Sequence, residues 1–121
     1  MSYRTALAAA GANVLAFGNF GDWQGSWVAL VDYQGERGWV QGAFGSCDHC
    51  DAFQAEFGWL DDENSDYQQR LADFGRGYLN GLQTLDQVLA TFASSAEWDS
   101  DSESAMHYIR TVHDLHHTQP R

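Results

Sequence analysis

The chain has 121 residues, 44 % of them apolar, with seventeen acids set against six arginines and no lysine, so its formal net charge is −11. That length holds one domain with a modest core, and five Trp, five Tyr and seven Phe are too many aromatics for a disordered acidic tail. The charge places an electrostatic penalty on binding nucleic acid or anionic membranes directly and favours basic partners; without a long apolar run or a signal-like leader, a cytoplasmic protein is expected.

A helix is predicted to open at Ser2, with Leu7, Ala10, Val14 and Leu15 near one face, although "ANVLAF" (12–17) suits an extended segment equally well. "WQGSWVALVDY" (23–33), the turn "QGER" (34–37) and "GWVQGAF" (38–44) then read as a β-hairpin. Gly42 inside the returning strand predicts a bulge or a close approach of backbone. "DAFQAEF" (51–57) permits a short helix with Phe53 and Phe57 one turn apart, and "GWLDDENSD" (58–66) reads as an acidic loop. Capping boxes are predicted at Ser65/Gln68, Thr84/Gln87 and Ser100/Glu103. Each precedes an apolar stripe: Tyr67, Leu71, Phe74 and Tyr78; Leu85, Val88, Leu89 and Phe92; Ala105, Met106, Ile109, Val112 and His116. Glycines at 75, 77 and 81 place the end of the first of these helices near residue 79. The expected fold is a single α+β domain over 1–121, a small antiparallel sheet packed with several helices and a helical C-terminal half.

"GSCDHCDAF" (45–53) carries the most chemistry. A redox dithiol would sit well between a strand and a helix, but Asp48 and Asp51 oppose thiolate formation, and Pro120 is the only proline. Zinc would need distant ligands. His113 and His117, spaced i, i+4, could complete a site with Cys47 and Cys50, although terminal histidines also suit a solvated helix end. The simplest reading is a corner in which both cysteines pack as small apolar groups.

The run from Trp23 to Phe53, an aromatic hairpin followed by Gly-Ser-Cys-x-x-Cys-Asp, resembles small uncharacterised bacteriophage proteins. It spans a quarter to a third of the chain. The resemblance brings no catalytic residue. It implies a phage or prophage accessory gene acting in the cytoplasm of a bacterial host.

Carboxylates offer the other candidate surface. Between Gly38 and Gln69 there are seven acids and no arginine, Asp61, Asp62, Glu63 and Asp66 among them. Glu97, Asp99, Asp101 and Glu103 form a second group. Such runs are usually solvated loops. Set against a basic groove they would imitate phosphate, with Trp59 and Trp98 as interface anchors. No phosphate-binding loop or nucleophile signature is present, so the expectation is a binding protein and not an enzyme. The expected partner is a basic nucleic-acid-handling host protein, such as a CRISPR effector or a restriction enzyme, and inhibition would be of the anti-CRISPR or antirestriction type. The alternative is a zinc-stabilised regulatory module built on the cysteines and C-terminal histidines.

Overall fold

A computed structural model describes residues 2–21, 25–45, 52–57, 66–94 and 99–118. The elements in chain order are α1 (Ser2–Ala9), β1 (Asn13–Gly21), β2 (Gly25–Tyr33), β3 (Glu36–Phe44), α2 (Ala52–Phe57), α3 (Tyr67–Leu79), α4 (Leu85–Ala93) and α5 (Ser100–Thr118). The strands form one antiparallel meander in the order β1-β2-β3, and the α+β class and the helical C-terminal half are as the sequence predicts. None of the described helices is long and apolar enough to cross a membrane.

The hairpin turn is tighter than "QGER" suggests. Gln34 (φ 52°) and Gly35 (φ 82°) alone turn the chain, both in the left-handed region that matches the twist of the flanking strands. Glu36 and Arg37 already belong to β3, and Arg37 lies across from Asp32. The Arg37 Nε and Nη2 groups donate to the Asp32 carboxylate at 2.8 and 3.1 Å. Gly42 sits in an unbroken β2–β3 register, so no bulge forms there. A side chain at Gly42 would instead meet the Trp27 indole, its Cβ 2.7 Å from Nε1. The bulge lies in β1, between Val14 and Ala16, and turns Leu15 and Ala16 to the same side of the sheet. The α1 helix thus stops at Ala9, and Val14 and Leu15 are strand residues; the extended alternative for 12–17 is the one adopted.

Alternation along β2 feeds two cores. Trp27, Ala29 and Val31 pack with Tyr3, Leu7, Val40 and Leu79 on one face. Val28 and Leu30 pack with Trp39, Val88, Phe92, Ala105, Ile109 and Val112 on the other. The sheet is therefore a central layer, with α1 and α3 on one side and α4 and α5 on the other. A smaller cluster, Ala6, Phe57 and Leu71, ties α2 to α1 and α3. There Phe53 and Phe57 stack with ring centroids 4.5 Å apart, as their one-turn spacing predicts.

Helix starts depend on which polar side chain reaches the free amides. At α4 both bonds of the box form: Gln87 N–H donates to Thr84 Oγ1 (3.2 Å) and Thr84 N–H to Gln87 Oε1 (2.9 Å). Thr84→Ala is expected to lower stability by about 1 kcal/mol, checked by urea denaturation. At the other two helices the N-cap is the residue next to the predicted serine. The N-cap of α3 is Asp66, whose side chain makes no cap bond. At α5 the Asp99 carboxylate accepts from the Asp101 amide (3.1 Å) and the Ser102 hydroxyl (2.9 Å), a task the sequence assigns to Ser100.

Candidate functional site

Two cavities flank the layer formed by α4 and α5, at opposite ends of β3. The first, about 370 Å³, lies where Phe44 ends β3 and α5 begins, walled by Phe20, Phe44, Phe92, Asp99, Asp101 and Ser102. The second, about 310 Å³, lies where β3 begins, between Arg37, Gly38 and Trp39, the start of α4 (Gln83, Thr84, Leu85), and His113 and His116 of α5.

Beside the second cavity, one bridge outside the meander meets the β3 edge among the described residues. Trp39 N–H donates to the Gln83 carbonyl at 2.9 Å and Gln83 N–H donates back at 2.8 Å, a single antiparallel bridge. It holds the loop before α4 against the sheet. The Gln83 Oε1 is buried and accepts no hydrogen bond from the described residues.

The carboxylates fall into three groups. Asp61, Asp62, Glu63 and Glu97, with Trp59 and Trp98, lie outside the described residues, as do Cys47 and Cys50. Asp66 is exposed at the start of α3. Asp101 and Glu103 are exposed on the first turn of α5, where negative charge complements the helix dipole. Half-buried Asp99 is engaged in capping.

His113 lines the cavity beside Gly38, at the far end of β3 from Phe44, after which the cysteine segment follows. His117 belongs to α5, its side chain outside the described residues. The histidine that shares the cavity with His113 is His116, three residues on. Among the described residues no three His, Cys, Asp or Glu side chains gather as a metal-holding group.

Sequence reasoning missed the combination of Arg37, Gln83 and His116. Nothing in the chain order signals it, because the three come from β3, a loop and α5. No known family model, curated protein or solved structure matches the chain.

Proposed function

We propose that the protein acts by binding: an acidic phage-type accessory protein whose carboxylates occlude the basic nucleic-acid site of a host defence enzyme. The observation that carries this reading is the charge, seventeen acids against six arginines with no lysine. Two of those arginines are engaged in surface ion pairs, Arg37 with Asp32 and Arg76 with Asp73. Asp101 and Glu103 are exposed on the first turn of α5, and Asp86 is exposed on the first turn of α4 at the opposite end of the same layer. A basic groove that normally neutralises phosphates would gain from such a surface by the same counterion release.

Affinity capture from host lysate tests it. A basic nucleic-acid enzyme retained at low salt and released at high salt is expected. Two charge-reversed variants, Asp61→Lys/Asp62→Lys/Glu63→Lys and Asp101→Lys/Glu103→Lys, are each expected to weaken capture, and at least one by on the order of tenfold or more. Binding that ignores both salt and reversal would end the proposal.

A further inference from the structure

The cavity at the start of β3 runs against the charge of the whole chain. In a protein of net charge −11, its described walls hold one arginine and two histidines and no carboxylate. Arg37 uses Nε and Nη2 on Asp32, which raises its pKa through that hydrogen bond and leaves Nη1 to donate elsewhere. The first turn of α4 adds the positive end of a nine-residue helix, with the exposed Asp86 carboxylate on the same turn. Histidines near the end of α5 have an ordinary explanation, the dipole at a helix C-terminus. That explanation does not reach Gln83. A buried amide oxygen without a donor costs about 1–3 kcal/mol; Gln83 Oε1 has none among the described residues, and Gln83 is one of the residues that line the cavity. Leu30 and Leu85 supply an apolar surface between the two polar features.

We infer that this cavity is a binding site for a small molecule with a carboxylate or phosphate at one end and an N–H or O–H donor on a compact apolar body. The oxyanion faces Arg37, His113 and His116; the donor satisfies Gln83 Oε1; the body rests on Leu30 and Leu85. A volume of about 310 Å³ is at the small end of ligand sites and excludes large cofactors. This site stands or falls in the isolated protein, without any host partner.

The experiment is a titration of the full-length ¹⁵N-labelled chain followed by amide spectra, with four probes: acetate, inorganic phosphate, N-acetylleucine and adenosine monophosphate. Saturable shifts are expected at Gly38, Trp39, Gln83 and His113. At least one probe that joins donor to oxyanion is expected to bind about tenfold tighter than its bare ion. An advantage of N-acetylleucine over acetate assigns a carboxylate ligand, and one of adenosine monophosphate over phosphate assigns a phosphate ester. Arg37→Gln is expected to weaken all binding about tenfold. Gln83→Leu is expected to erase the advantage of the donor-bearing probe while thermal stability stays level or rises, because the unsatisfied oxygen is gone. The inference is overturned if no probe saturates below about 10 mM, if bare ions bind as tightly as the larger probes, or if the shifts follow Arg4, Arg70, Arg76 and Arg110 and survive Arg37→Gln.

Discussion

Gly75→Ala is expected to remove a large share of the protein's stability, more than about 4 kcal/mol. Gly75 is buried in the middle of α3, where α1 crosses it, and a β-carbon there would collide with the backbone carbonyl of Ala6. Rotating a side chain cannot relieve that clash, because the obstructing atoms are main chain. The helices would have to separate, uncovering Ala6 and Leu71, which are 1 % and 2 % exposed, and loosening the cluster with Phe57. A forced backbone displacement of this kind belongs to the exceptional class of more than about 4 kcal/mol. Small domains are stable by only about 5–15 kcal/mol in total. Gly77, two residues on in the same helix, has nothing within 4 Å of an added β-carbon. Gly77→Ala is therefore expected to stabilise by about 0.5–1 kcal/mol through helix propensity and unfolded-state entropy. Urea unfolding of both variants checks the pair. A loss under about 1 kcal/mol for Gly75→Ala would mean that α1 and α3 do not approach so closely.

Trp27→Ala is expected to cost about 3–5 kcal/mol. The indole is fully buried, stacked between Tyr3 (centroids 5.1 Å) and Phe17 (5.5 Å) and met edge-on by Tyr78 (5.1 Å). Trp27→Phe tests a balance of opposing effects. It shortens the ring and opens a small void, yet it removes the Nε1–H group, which is buried without an acceptor among the described residues. Leaving such a group unpaired costs about 1–3 kcal/mol, comparable to the packing that is lost. The expected net change is within about 1.5 kcal/mol, and urea denaturation distinguishes it clearly from the alanine variant. A phenylalanine variant as unstable as the alanine one would mean that Nε1–H has a partner after all.

The legible parts of this fold are those that local chemistry decides. Gln34-Gly35 supplies a two-residue turn, and apolar runs on either side make the hairpin readable. Thr84 and Gln87 form their box within four residues. At the other two helix starts serine and aspartate stand side by side, either able to accept from the first amides, and the sequence does not choose between Ser65 and Asp66 or between Ser100 and Asp99. The β1 strand is obscured because Leu15 breaks the alternation: with the bulge, Leu15 and Ala16 face one side together and imitate helical spacing. Gly75 reads as a weak point in a helix until α1 is laid across it. The cavity of Arg37, Gln83 and His116 gives no sequence signal at all, since the Trp39–Gln83 bridge beside it joins positions 44 residues apart.

The burial of β2 on both faces has a consequence for how the sheet is assembled. From Trp27 to Val31 every side chain is inside, so a slip of one residue would exchange one set of apolar groups for another and expose none. Hydrophobicity alone does not forbid the wrong pairing here, as it does in a sheet with a wet face. Alignment must be enforced by shape: the one place where the largest side chain of β2 finds room is opposite Gly42, and the two-residue turn delivers it there. Trp27 and Gly42 act together as a lock and its keyway, and a residue inserted after Gly35 would bring the indole against a side chain instead of a gap.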